Sequence, residues 1–210
     1  MKKILTVLLC FCFMLVPSSV LAETKEISFV SPDGLLFETT YSMNEYYLET
    51  SDNNDSITYS VYDLSDNFVE SWEFEKSNLA RNSELDTSSL YRHINRKAIG
   101  ALSGNLVHEV TLWASRTGSF GQFDSFGYDI FSIENWSYFS VGQNASTIKP
   151  DNNKWPTTRV GVGYTCIVLA KINAALEAQC GSELINAGFT LSTDFTYSKS
   201  IQNSYYISVY

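Results

Sequence analysis

Histidine and cysteine are scarce in this chain, which limits the chemistry that its side chains can perform. The 210 residues include 2 histidines and 4 cysteines. The sequence contains no G-x-S-x-G, no H-E-x-x-H, no glycine-rich phosphate loop and no Cys/His spacing of a zinc site. These absences argue against the common hydrolase, nucleotide-binding and zinc-dependent classes. We therefore expect no enzyme activity, no catalytic residues, no metal and no cofactor, although a hydrolase without a recognisable motif stays open.

Basic residues are also few. The chain carries 14 Lys and Arg against 23 Asp and Glu, which gives a formal net charge of −9. Most of the acidic excess lies in residues 23–80, which hold 13 acidic and 2 basic side chains. A net negative surface repels phosphate groups. The composition therefore argues against nucleic-acid binding by the protein as a whole.

Long apolar runs are absent beyond the N-terminus. There, Lys2 and Lys3 precede an apolar run from Ile4 to Val16, and Val20-Leu21-Ala22 forms a small-residue cleavage site. This order is typical of a secretory signal peptide, over residues 1–22. No later segment reaches the length of about 20 apolar residues that a transmembrane helix needs. We predict a secreted, extracellular protein, cleaved after Ala22, whose mature chain has no stable transmembrane segment.

Short β-branched and aromatic runs, separated by polar turns, dominate the rest of the sequence. Residues 23–80 are predicted to form an acidic antiparallel β region. Within it, the run FVESWEFEK alternates between two faces. Four side chains share its predicted core face: Phe68, Glu70, Trp72 and Phe74.

Residues 81–104 change character and are predicted to be a connector. Leu90, Ile94 and Ala98 recur there at helical spacing, which predicts a short helix near 88–99. Longer β runs then return, so residues 105–210 are predicted to form a β-rich C-terminal domain with a helix at 169–187. The fold predicted from these elements is a β-rich α+β protein of antiparallel sheets with one or two covering helices. An all-β sandwich with one helix is the alternative.

Two cysteines remain after signal cleavage, because Cys10 and Cys12 leave with the signal. In an oxidising compartment, Cys166 and Cys180 favour an intramolecular disulfide, with two free thiols as the alternative. One continuous helix would hold them about 21 Å apart, whereas a disulfide needs Cα atoms within about 7 Å. A bridge therefore requires the chain to reverse from a strand into a helix between them.

Aromatic residues between glycines mark a candidate surface for a partner or ligand. Phe120, Phe123 and Phe126 recur every third residue, so they cannot all lie on one face of a regular strand. Trp155 lies in the polar loop that follows. Either these rings are buried under a folded-back loop, or some stay exposed as a recognition surface for sugar, lipid or a partner protein.

The C-terminal residues form two alternating segments around SKSIQNS, which predicts a β-hairpin with its turn there. We expect the hairpin to be structural, with five side chains in the core: Leu191, Phe195, Tyr205, Ile207 and Val209. Strands of this length with one apolar face are also what a membrane-inserting hairpin requires.

The short signal, the acidic β-rich front part and the glycine-bounded, alanine-rich stretch TCIVLAKINAALEAQCG together resemble the large secreted bacteriocins of the geobacillin type from Gram-positive bacteria. The resemblance covers the C-terminal half. It implies a secreted, non-enzymatic antibacterial protein whose partner is a component of the bacterial cell surface or envelope. The residues leave two other functions open: an extracellular binding module for cell-wall carbohydrate or a surface partner, and a β-hairpin pore-forming protein.

Overall fold

The computed structural model describes residues 24–76, 89–117 and 120–209. The predicted signal peptide lies outside these ranges. Within them, the chain forms twelve strands and one helix, arranged as two antiparallel sheets. The prediction of a β-rich fold built from antiparallel sheets is confirmed.

Sheet II is a meander in which each strand pairs with the next one along the chain. Its strands are β3 (Tyr46–Asp52), β4 (Ser56–Asp63), β5 (Phe68–Glu75), β6 (Ser89–Ala98), β7 (Asn105–Thr117) and β8 (Phe120–Glu134). Every pairing is antiparallel, as expected where neighbouring strands are joined by short connections.

Sheet I combines strands from both ends of the chain. It contains β1 (Glu26–Val30), β2 (Leu35–Ser42), β12 (Thr196–Val209), β10 (Arg159–Lys171) and β9 (Phe139–Pro150) in that spatial order, and β11 (Thr190–Thr193) pairs with β12. Because β1 and β2 join β12, residues 23–80 and 105–210 contribute strands to the same sheets.

The core lies between the two sheets and consists of two apolar clusters. The first is rich in aromatic rings and includes Phe37, Trp72 and Ile207. The second includes Leu106, Val168 and Leu184. Strand β10 shows why the sequence folds this way: from Val160 to Ala170 every second side chain is buried, which matches the period of two in a strand.

The helix α1 (Ala174–Asn186) covers the second cluster. It begins after Asn173, whose side-chain oxygen accepts a hydrogen bond from the Leu176 amide at 3.0 Å. It ends before Gly188, which has a φ of +88°. The predicted helix at 169–187 is thus shorter than expected, because the chain up to Lys171 still belongs to β10.

The predicted helix at 88–99 was wrong, because residues 89–98 form β6. Residues spaced by four lie on one face of a helix and also on one face of a strand. Leu90, Ile94 and Ala98 therefore fit both periods. In β6 the deeply buried positions are instead Tyr91, His93 and Asn95.

The C-terminal hairpin belongs to sheet I, but its predicted turn was misplaced. The chain reverses at Asp194 and Phe195, whose φ angles are 42° and 59°, while SKSIQNS lies within β12. Tyr205 and Ile207 are buried, and Val209 packs against the first cluster. Leu191 and Phe195 were predicted to be in the core but are 48% and 39% exposed. Leu191 lies on the short strand β11, and Phe195 lies at the turn.

Candidate binding groove and buried polar cluster

A groove crosses the outer face of sheet I where β10 carries two glycines. Gly161 pairs with Lys149 and Tyr206, and Gly163 pairs with Thr147 and Ser204. The alternation of β10 directs these positions away from the core. A Cβ atom at Gly163 would meet only backbone carbonyl oxygens, at 3.8 and 3.9 Å. At Gly161 a Cβ would lie 3.1 Å from Tyr206 Cε1, so the Tyr206 ring covers this glycine. The floor without a side chain is therefore at Gly163.

Two adjoining cavities make up this groove, and they share Thr147, Gly163 and Ser204. The larger has a volume of about 500 Å³ and the smaller about 340 Å³. Beyond the shared residues, the larger is lined by Thr40, Lys97, Ala145, Tyr164, Thr165, Gln202 and Asn203. Hydroxyl and amide groups therefore dominate its walls.

Tyr206 forms the aromatic end of the groove. Its side chain is 41% exposed. The Arg159 guanidinium carbon lies 4.1 Å from the centre of the Tyr206 ring, and Arg159 Nη2 lies 3.1 Å from Glu38 Oε2. This stacking and ion pair fix the ring beside the glycines.

At its other end the groove reaches into the sandwich. The ladder between β2 and β12 runs from Leu35 and Val209 to Glu38 and Tyr206. Thr40 lies beyond the last pair and lines the larger cavity. Lys97, which belongs to sheet II, also lines this cavity, and its side chain is 19% exposed.

A buried polar cluster lies beneath this opening, centred on the Glu70 carboxylate. Glu70 is fully buried. Its Oε2 accepts hydrogen bonds from the Tyr41 hydroxyl at 2.5 Å and from Lys97 Nζ at 3.2 Å. Its Oε1 accepts from Asn95 Nδ2 at 2.6 Å and from Asn203 Nδ2. A buried carboxylate is costly without partners, and here both oxygens have two each.

The partners of Glu70 also contact one another. Lys97 Nζ donates to the Tyr41 oxygen and, at 3.3 Å, to Asn203 Oδ1. The Tyr164 hydroxyl donates to Asn95 Oδ1 at 3.2 Å. Burial, followed by the charge of Glu70, raises the pKa of Tyr41 far above its usual value, so this phenol stays protonated. Hydrogen bonds of the cluster thus join sheet I to sheet II, and Lys97 Nζ also lies 5.0 Å from the centre of the Tyr41 ring.

Both histidines are buried in the core next to this cluster. His93 Nε2 lies 2.7 Å from the Tyr205 hydroxyl, and His108 Nε2 lies 3.0 Å from Asp129 Oδ2. Burial and the nearby His108 lower the pKa of His93 to about 3. Burial also lowers the pKa of His108, although Asp129 opposes the shift. Neither ring is a solvent-accessible base.

The structure does not bring the four predicted aromatic residues together into one surface. Phe123 is fully buried, whereas Phe126, three residues along β8, is 37% exposed. Trp155 is partly buried against the first cluster. Phe120 begins β8, and its side chain lies outside the described part of the structure. The predicted loop at these phenylalanines is therefore a strand.

Cys166 and Cys180 lie in the second apolar cluster, on β10 and α1 respectively. The chain reverses between them, as a disulfide would require. Both side chains are buried, and Cys180 Sγ lies 3.1 Å from the Leu176 carbonyl oxygen. Burial raises the pKa of Cys166 to about 11, which keeps this thiol protonated. The disulfide stays a prediction.

One residue of the polar cluster was visible in the sequence. Glu70 was placed on the core face with Trp72 and Phe74, and a lone carboxylate in an apolar row signals a buried partner. Lys97 was assigned to a helix, so its inward direction was missed. Gly161 and Gly163 carried a signal as well, because alternate glycines in a strand leave one face without side chains.

A search for membrane-spanning helices and comparisons with known proteins give no indication of function. Over residues 24–76, 89–117 and 120–209, the structure contains no helix that is long and apolar enough to cross a membrane. No protein-family model, curated protein or solved structure matches the chain. The functional assignment therefore rests on the groove and on the polar cluster.

Proposed function

We propose that the protein is an extracellular binding protein that attaches to bacterial cell-wall carbohydrate through the groove on sheet I. The observation that carries this proposal is the open, polar channel above Gly163, with Tyr206 exposed at one end beside Gly161.

The lining of the groove matches the chemistry of a sugar chain. Hydroxyl and amide side chains, such as those of Thr147, Gln202 and Ser204, hydrogen-bond to sugar hydroxyls, which both donate and accept. The part of Tyr206 that Arg159 and Gly161 leave exposed adds an aromatic surface against which a sugar ring can pack. The floor without side chains allows an extended polymer to lie across the sheet.

Charged side chains in the groove occur with opposite charges nearby. Lys149 and Asp151 both line the smaller cavity. Lys97 lines the larger cavity, and its Nζ is paired with the Glu70 carboxylate at 3.2 Å. Recognition of the ligand is therefore assigned to the hydroxyl, amide and aromatic groups rather than to net charge.

The test is a co-sedimentation assay with purified Gram-positive sacculi, before and after removal of teichoic acid. Gly163→Val fills the groove, and valine suits a strand at a position where a Cβ has room. We expect the apparent affinity of this variant to fall about tenfold or more, which corresponds to about 1.4 kcal/mol.

Ser60→Val is the matched control, because Ser60 lies on the outer face of β4 in sheet II, away from the groove. It should bind as the wild type does. A second pair, Tyr206→Ala and Tyr206→Phe, separates loss of the ring from loss of the hydroxyl, and only the alanine variant should bind weakly. Equal sedimentation of the wild type and Gly163→Val would remove the groove from consideration.

A further inference from the structure

Three side chains of the polar cluster form an arrangement that the binding groove does not need. Lys97 lies on β6 of sheet II, and Asn203 lies on β12 of sheet I. Lys97 Nζ is 3.3 Å from Asn203 Oδ1. Glu70 contacts both, with Oε2 at 3.2 Å from Lys97 Nζ and Oε1 in contact with Asn203 Nδ2. An amine, a primary amide and a buried carboxyl group thus meet where the larger cavity borders the core.

We propose that Lys97 and Asn203 become joined by an intramolecular amide bond between Lys97 Nζ and Asn203 Cγ, formed by the folded protein itself with Glu70 as the catalytic proton-transfer group. The C=O bond length is about 1.2 Å, so Nζ lies no more than about 4.5 Å from Cγ. A shift of about 1 Å brings it to the separation of a near-attack geometry.

The reaction begins with a proton transfer from Lys97 Nζ to Glu70 Oε2. It converts an ammonium and a carboxylate into a neutral amine and a carboxylic acid, and so removes two charges from a buried site where charge is costly. The amine then has a free lone pair and becomes a nucleophile. Tyr41 and Asn95 hold the Glu70 carboxyl in place through hydrogen bonds of 2.5 and 2.6 Å.

The amine lone pair attacks Asn203 Cγ to form a tetrahedral intermediate. Glu70, which contacts Asn203 Nδ2, passes its proton to that nitrogen and accepts one from the attacking nitrogen. The Nζ–Cγ bond forms, the Cγ–Nδ2 bond breaks, and ammonia leaves, with one proton remaining on Glu70. No atom is oxidised or reduced, so the reaction needs no further reactant.

The surroundings suit this chemistry. Glu70, Asn95 and Trp72 are fully buried and Tyr205 is 1% exposed, so the Glu70 carboxyl lies on the side of the site that is closed to bulk water. Lys97 and Asn203 lie on the other side, where both line the larger cavity. This cavity gives ammonia a way out. The product is a covalent link between the two sheets.

Mass spectrometry of the secreted, fully reduced protein tests the proposal without regard to ligand binding. We expect an intact mass about 17 Da below the value for the processed chain, which is the mass of the released ammonia. Protease digestion should yield a branched peptide that contains both Lys97 and Asn203. A wild-type protein whose Lys97 and Asn203 peptides are recovered unlinked, at full mass, overturns the proposal.

Single substitutions test the proposed roles of Lys97 as nucleophile, Asn203 as the amide that is attacked and Glu70 as the proton-transfer group. Lys97→Arg and Glu70→Gln should show no mass deficit while circular dichroism still reports the sheets. Asn203→Asp should instead lose about 18 Da, because the same amide forms with release of water. Lys199→Arg is the matched control, since Lys199 also lies on β12 but donates to the Ile99 carbonyl oxygen at 2.7 Å, and it should keep the deficit. A deficit that persists in Lys97→Arg, or that is lost in Lys199→Arg, contradicts the assignment.

Discussion

His93 Nε2 lies 2.7 Å from the hydroxyl of Tyr205, so a ring from sheet II and a phenol from sheet I meet in the middle of the core. Burial lowers the pKa of His93 from 6.5 to about 3. In the unfolded chain His93 therefore binds a proton below about pH 6.5, whereas in the folded chain it binds one only below about pH 3. The contribution of His93 to the unfolding free energy is fully present above pH 6.5, and it is lost as the pH falls from 6.5 towards 3.

We predict that His93→Gln flattens this pH dependence, because glutamine keeps a polar side chain but does not titrate. Between pH 7 and pH 4.5, the wild type should lose about 2 to 3 kcal/mol more unfolding free energy than the variant. Urea unfolding at the two pH values measures the difference. Carboxylates contribute equally to both proteins, so parallel losses would show that His93 is not the group responsible.

Two neighbouring residues of α1 test how the helix is held. Leu184 is fully buried in the second cluster, whereas Ile185 is 57% exposed. Leu184→Ala should cost about 3 kcal/mol through lost burial and a cavity. Ile185→Ala should change the unfolding free energy by less than about 0.5 kcal/mol. Thermal or urea unfolding of both variants gives the comparison, and similar losses would mean that the helix does not dock through Leu184.

The disulfide between Cys166 and Cys180 is open to direct measurement. If it forms, non-reducing mass spectrometry of the secreted protein should show no alkylation of either cysteine, and a stabilisation of about 3 kcal/mol is expected for a loop of this size. Recovery of two alkylated thiols from the native exported protein would establish the free-thiol alternative.

Deletion of residues 201–210 should abolish soluble expression. These residues include Tyr205 and Ile207 of the core, and they pair with β10 on one side and, near their end, with β2 on the other. Their loss exposes two apolar strand edges. A truncated protein that stays folded, and that loses only the ability to release dye from liposomes, would support the pore-forming alternative instead.

The resemblance to secreted bacteriocins predicts killing of related Gram-positive bacteria. Mature protein spotted on lawns of such bacteria should produce clearing. If killing depends on attachment to the wall, Gly163→Val should reduce the zone while Ser60→Val does not. Absence of clearing, together with retention on purified sacculi, would favour a binding module without antibacterial activity.

The alternation of apolar and polar residues was enough to predict several strands, but not which strands pair with one another in the sheets. The alternation in RVGVGY identified β10, and the position of Glu70 among aromatic residues identified a core face. The spacing of Leu90, Ile94 and Ala98 was ambiguous because it fits one face of a helix and one face of a strand. In the structure these residues are on a strand whose buried face carries Tyr91, His93 and Asn95 instead. The contact between Lys97 and Asn203 joins residues 106 positions apart, and no local period contains that information. The groove likewise requires the register of β9, β10 and β12.

The order of strands in sheet I also bears on the order in which the chain can fold. Phe37 of β2 pairs with Ile207 of β12, and Ser208 lies within hydrogen-bond distance of Glu38, 170 positions earlier. During synthesis β2 therefore lacks this partner until β12 has been made. Contacts of such long range close slowly. Sheet II, in which each strand pairs with the next, has no such wait, so the meander can form before β12 joins β2 to β10.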